Sequence, residues 1–334
     1  MAKIKALSIV VPVYNEKDNI RRLYDQLHSV LAKLEIKYEI LFIDDGSLDG
    51  GREILQALAL QDPYVKLIVF RRNFGQTAAM SAGFRFAQGE VIISMDADLQ
   101  NEPNDIPILL SKIKEGFDVV SGQRKNRKDA FFSRRLPSYL ANRLISWVSG
   151  VRLKDYGCTL KAYRREFVRN IRLYGEMHRF IPIYAKWMGA KIAEVSVNHH
   201  PRIYGKSKYG LFRTFKVILD LITVKFLGTF STKPIYIFGG SGIVFVGLGF
   251  LAAVITLVQK FAFGAWVHKN PMILICIFFE LVGFQCILMG LLAEIVIRIY
   301  HQSQVQPTYW IQETVNMEPN LQKGNETCVV SQDM

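Results

Sequence analysis

Over its first 125 residues the chain alternates short apolar runs with stretches of helical periodicity. Residues 7–13, 38–43, 65–70, 91–95 and 118–121 read as strands. Between them, residues 18–34 place Ile20, Leu23, Leu27, Val30, Leu31 and Leu34 at helical spacing. Further helical stretches near 50–60, 76–87 and 104–115 complete a βα alternation, which implies a parallel sheet covered by helices on both faces. Ligands of such sheets gather at the carboxyl ends of the strands.

Later the pattern changes. Residues 211–230 are apolar around most of a helix, with Arg213, Lys216, Asp220 and Thr223 on one polar stripe, as in a helix lying in a membrane surface. Residues 235–258 contain no charge and are long enough to cross about 30 Å of hydrocarbon. A second span, 271–297, is interrupted by Glu280, Gln285 and Glu294, whose polar groups are expected to face protein or, for Glu294, an interface. Four regions follow: an α/β domain at 1–200, interfacial amphipathic helices at 201–233, two transmembrane helices within 234–298, and a polar, mostly disordered tail at 299–334. The apolar stretch near the N-terminus is cut short by Pro12, Asn15 and Glu16 and reads as a buried strand rather than a secretory signal.

Composition sharpens this picture. The 334 residues include 42 Lys and Arg against 29 Asp and Glu, a net +13, with half of all positions apolar. Lys260 and Lys269 balance Glu280 and Glu294; Arg298 and Lys323 stand against Glu313, Glu318, Glu326 and Asp333, so the first 234 residues carry +15. That balance points to phosphate-bearing substrates or anionic lipid. Nucleic acid is not expected as a partner, because the basic residues cluster beside membrane segments rather than among exposed aromatic residues. Seven Lys and Arg with one acid between Arg202 and Lys233 place the N-terminal domain in the cytoplasm by the positive-inside rule. Cys158, Cys276, Cys286 and Cys328 have no paired spacing, which argues against a disulfide framework or zinc site.

Four strands in succession end in polar residues: Tyr14, Asn15 and Glu16; Asp44-Asp45-Gly46-Ser47; Arg71-Arg72-Asn73; and Asp96-Ala97-Asp98-Leu99-Gln100. One such loop could be only a turn, but four describe a site. A divalent cation such as Mg²⁺ or Mn²⁺ takes one or two carboxylates and completes its shell with phosphate oxygens and water, which suits Asp96 and Asp98 beside a diphosphate.

With Val11-Pro12-Val13-Tyr14-Asn15-Glu16 and the two aspartate loops in this order, the chain resembles the inverting nucleotide-sugar glycosyltransferases of GT-A fold. Arg71-Arg72-Asn73-Phe74-Gly75, Asp155-Tyr156-Gly157-Cys158 and the segment from Arg202 to Lys208, followed by two spans, resemble the polyprenyl-phosphate branch. The resemblance implies a GT-A domain, Rossmann-like with a mostly parallel sheet, carrying a transmembrane hairpin. Its implied activity is transfer of a single sugar, with inversion, from a nucleotide sugar to a polyprenyl phosphate. A uridine diphosphate sugar and undecaprenyl phosphate are the favoured substrates.

The same resemblance implies roles. Pro12, Tyr14, Glu16, Asp44, Asp45 and Asp96 would bind the nucleotide, and Asp96, Asp98 and Gln100 the metal, Mg²⁺ or Mn²⁺. Arg124, Arg134, Ser138, Arg202, Ser207 and Lys208 would bind the acceptor phosphate, and Arg179 would lie near the donor sugar. His178 reads as readily as a surface group. Asp155 is the candidate catalytic carboxylate, acting as a base or as an orienting group. A phosphate monoester with a second pKa near 6 is already largely ionised at pH 7 and hardly needs a base. The alternatives are a processive polysaccharide synthase, whose Gln-x-x-Arg-Trp signature and additional spans are missing here, and a non-catalytic nucleotide-binding membrane protein. Oligomeric state stays open, assembly through the spans being one arrangement.

Overall fold

The computed structural model describes residues 4–124, 145–146, 149–169, 171, 173, 177–201, 235–263, 266, 270–302 and 309–317. The amphipathic segment expected over 201–233 lies outside them apart from Pro201, as do Arg134, Ser138, Arg202, Ser207 and Lys208.

The chain forms two units, an α/β domain and a helical pair. In the first, β1 (Ala6–Val13), β2 (Lys37–Asp44), β3 (Val65–Phe70) and β4 (Val91–Ser94) alternate with α1 (Lys17–Leu31), α2 (Gly51–Gln61) and α3 (Gln76–Phe86). After β4 come α4 (Ile106–Lys114), β5 (Val119–Arg124), β6 (Lys161–Arg164), the short α5 (Arg165–Val168), α6 (Ile181–Trp187) and β7 (Ile192–Val197). The sheet order is β7-β5-β6-β4-β1-β2-β3-β8, where β8 (Ile311–Val315) comes from the far end of the chain. Strands β3, β2, β1 and β4 are mutually parallel, whereas β6 and β8 run antiparallel to their neighbours.

Burial on both faces explains the unbroken apolar runs: Ile40 to Ile43 and Leu67 to Phe70 have essentially no exposure. Helix α1 contributes Ile20, Leu23, Leu27, Val30 and Leu31 to one side of this core. Helix α3 lies close on β1 because Gly83 has no side chain; a Cβ there would fall 2.2 Å from a Val10 methyl.

Strand β8 corrects the expectation of a disordered tail. It pairs antiparallel with β3, with Ile311 and the preceding Tyr309 buried. The α/β domain therefore does not end at residue 200.

In the second unit, α7 (Ile235–Phe263) and α8 (Met272–Gln302) pack on each other and extend beyond the spans expected from sequence. Both contain windows long and apolar enough to cross a membrane, Tyr236–Ala262 and Met272–Ala293, each with mean hydropathy 2.4. Large apolar side chains remain exposed along them, including Phe250, Phe261, Leu274 and Phe284. Glu280 faces α7, its Oε1 3.0 Å from the point a Cβ on Gly249 would occupy. The Glu294 side chain lies outside the described residues.

Candidate active site

The order β3-β2-β1-β4 reverses direction between β1 and β4, the place where open α/β sheets bind ligands. Strand β1 pairs with β4 only as far as Val10 but with β2 as far as Val13, so a crevice opens beyond Val10. Pro12, which has no N–H for a ladder, lies in that stretch, and Pro12, Tyr14 and Glu16 are all half-buried.

Hydrogen bonds between loops hold the crevice in shape. Asn15, at φ 53, donates its amide to Ser47 Oγ at 3.0 Å and accepts from the Leu48 amide at 2.9 Å. Asp49 accepts from the amides of Lys17 and Gly51, each at 2.9 Å, joining the starts of α1 and α2. Gly46, at φ 73, lets the β2 loop cross the β3 loop, since a Cβ there would lie 2.5 Å from the Arg72 carbonyl carbon.

The two adjacent aspartates have different surroundings. Asp44 is fully buried; its oxygens accept from the Ser47 amide at 2.9 Å and Arg52 Nε at 3.0 Å. Its carboxylate thus braces the turn and the start of α2 from below the strand ends. Asp45 accepts from the Phe74 amide at 2.7 Å, the Gly75 amide at 2.9 Å and Asn73 Nδ2 at 3.0 Å, and so ties the β2 end to the β3 loop.

Burial pushes the Asp45 carboxyl up to about 6, against the lowering pull of those amides. A carboxyl raised above its unfolded value of about 4 contributes stability that is full below that pH and is lost as pH rises through about 6. The thermal midpoint of the wild type, measured against Asp45→Asn, should therefore decline between pH 4 and pH 7. A difference that stays flat over this range would exclude Asp45 as the titrating group.

At the end of β4, Asp96 is half-buried and accepts from Gln76 Nε2 at 2.7 Å, while Asp98 is buried and accepts from the Gln100 amide at 3.2 Å. Between Asp98 and Gln100, Leu99 sits at φ 57, a conformation costly for a side-chain-bearing residue; its own burial holds it there. Gln100 turns its Nε2 to the His200 carbonyl at 3.3 Å, which links this loop to the segment after β7. The donors are hard carboxylate oxygens. Among the described residues no group of three or more His, Cys, Asp or Glu could hold an ion unaided. The fit is to Mg²⁺ or Mn²⁺ completed by phosphate oxygens and water.

A second cluster gathers around Asp155, itself buried. Arg124 grips it through a fork, Nε to Oδ2 at 2.7 Å and Nη2 to Oδ1 at 2.8 Å, and the Gly157 amide adds a bond at 3.1 Å. Glu194 accepts from the amides of Lys154 and Asp155, which fixes the approach to this turn. Lys161 is buried and donates to the Tyr156 carbonyl at 3.1 Å; burial pushes its ammonium down to about 8 and the Cys158 thiol up to about 12. Arg179, half-buried, is close enough to Lys161 to lower it further. His178 is not a surface group: it is buried, with Nδ1 2.7 Å from Thr77 Oγ1 in the first turn of α3.

Sequence reasoning missed Gln76 and Lys161. Each had a faint signal: a polar residue opening an Ala-rich helix, and a lysine opening the short strand Lys-Ala-Tyr-Arg.

Residues 8–172 match the model of glycosyl transferase family 2. The dodecaprenyl-phosphate galacturonate synthase of Rhizobium johnstonii is 40% identical over 322 residues, covering 92% of each chain. The undecaprenyl-phosphate 4-deoxy-4-formamido-L-arabinose transferase of Proteus mirabilis is 38% identical over 95% of this chain and 97% of its own. Among solved structures, glucosyl-3-phosphoglycerate synthase of Mycobacterium tuberculosis with Mn²⁺, uridine diphosphate and phosphoglyceric acid superposes with a TM-score of 0.53. It is 17% identical over 66% of this chain and 78% of its own. Mannosyl-3-phosphoglycerate synthase of Rubrobacter xylanophilus gives 0.53 at 15% identity, over 67% and 74%. These two similarities speak for the fold alone.

The chain is thus a glycosyltransferase of GT-A fold. It belongs to glycosyl transferase family 2, within the group of polyprenyl-phosphate glycosyltransferases.

Proposed function

We propose that this enzyme transfers one sugar from a nucleoside diphosphate sugar, with a uridine diphosphate sugar favoured, to a polyprenyl phosphate, with undecaprenyl phosphate favoured. The reaction takes place at the cytoplasmic face of the membrane, with inversion and with a divalent cation. The observation that carries this reading is the carboxylate pair Asp96 and Asp98 at the mouth of the β1–β4 crevice, in a chain that also has two long apolar helices. The names of the relatives support the acceptor class. The return of the chain from the helical pair into the sheet as β8 supports an even number of crossings, and the basic cluster before the first helix supports the cytoplasmic side.

In the proposed reaction a phosphate oxygen of the acceptor attacks the anomeric carbon opposite the nucleoside diphosphate. The carbon–oxygen bond to the diphosphate breaks as the new bond forms, and the electron pair leaves with the diphosphate. An ionised phosphate monoester brings no proton that must be removed. Both Asp155 oxygens are occupied by the Arg124 fork, which favours an orienting role over that of a base. Asp96 and Asp98 would hold the cation, which when bound supplies positive charge against the departing diphosphate.

The test is nucleoside diphosphate release by detergent-solubilised enzyme across a panel of nucleotide sugars. Release should require donor, polyprenyl phosphate and Mg²⁺ or Mn²⁺ together, and a chelator should stop it. No release with any donor, or release independent of the lipid, would refute the proposal.

A further inference from the structure

We propose that β8 is a positioning element of the donor site, acting through Tyr309 on the loop from Arg71 to Gly75. This rests on reading the ends of β1 to β4 as the donor site. Tyr309 is buried and stacks on Phe70, with centroids 5.0 Å apart and planes at 14°. Phe70 in turn meets Phe74 edge to face at 5.8 Å, and the Arg71 amide donates to the Trp310 carbonyl at 3.1 Å. The β3–β8 ladder shifts register between Val69 and Phe70, so the pairing changes where β3 enters the loop.

From Phe74 the contacts run on into the site. Its amide and that of Gly75 hold Asp45, and the next residue, Gln76, holds Asp96. A continuous path of packed rings and hydrogen bonds therefore connects a residue that follows the helical pair to both aspartates at the crevice. Beyond Tyr309 the strand has separate anchors: at its middle Glu313 accepts from Gln56 at 2.9 Å, and just past its end Asn316 Nδ2 donates to the carbonyls of Ala59 and Val65. Removing the Tyr309 ring leaves these anchors in place, so its effect should appear in the loop rather than in the pairing of the strand.

Covering a sheet edge is the simpler role for such a strand, and the two roles separate experimentally. In the full-length protein, Tyr309→Ala should weaken binding of uridine and guanosine diphosphates with Mn²⁺ about tenfold. It should raise the KM for the donor and leave that for polyprenyl phosphate unchanged. Tyr309→Phe, which keeps the ring, should restore both. Asn316→Ala should lower the thermal midpoint without changing nucleotide affinity.

If Tyr309→Ala lowers the thermal midpoint but binds nucleotide like the wild type, or raises both KM values equally, β8 only covers the edge and the proposal is overturned. If the wild type itself binds neither diphosphate, the donor-site reading falls and takes this proposal with it.

Discussion

Asp98→Asn should lower turnover by about a thousandfold while leaving the thermal midpoint close to that of the wild type. The substitution is nearly isosteric, and its remaining oxygen can still accept from the Gln100 amide, so the turn at Leu99 keeps its geometry. What disappears is a negative charge at a buried position beside the crevice. A cation held there and on a diphosphate is worth several kcal/mol to a developing charge, and each ~1.4 kcal/mol is a factor of ten in rate. Turnover and apparent Mn²⁺ affinity should fall together, and high Mn²⁺ should recover part of the rate. A rate within tenfold of the wild type would remove Asp98 from the metal site.

The second large effect concerns Arg124 and Asp155. Their side chains are 16% and 6% exposed, so breaking the pair from either side strands a charge away from water. Such losses run to about 3–5 kcal/mol, which for a domain of this size corresponds to a fall of about 10 °C in thermal midpoint. Asp155→Asn and Arg124→Met should each show this fall, and each should lose at least about a hundredfold in turnover if the pair also orients substrate. The combined variant separates the two contributions. With no charge left unpaired, Arg124→Met with Asp155→Asn should recover most of the midpoint and none of the turnover. Recovery of both would make the pair a structural support only.

The strands from β1 to β4 were legible because parallel strands buried on both faces write themselves as apolar runs, and β5 showed only through its opening Val119-Val120. Strand β8 was not. Ile-Gln-Glu-Thr-Val offers only one firmly buried position, as an edge strand with a wet face does, and its partner β3 lies some 240 residues earlier in the chain. At the site, the polar strand ends identified the crevice, but neighbouring aspartates look alike in a sequence. Asp44 closes the β2 ladder opposite Val69, and Asp45 is the first residue beyond it; that single step of register turns one inward to Arg52 and the other to the β3 loop. The Arg124–Asp155 pair joins residues 31 apart on different elements, so each looked like an independent ligand until the sheet brought them together.

The central claim, transfer of one sugar to a polyprenyl phosphate, is tested most directly by the mass of the lipid product. Full-length enzyme in detergent, given undecaprenyl phosphate, Mn²⁺ and the donor that supports turnover, should convert the lipid to a single species heavier by one glycosyl unit, and Asp98→Asn should not. A ladder of masses would instead indicate a processive synthase, and unmodified lipid with every donor would contradict the account.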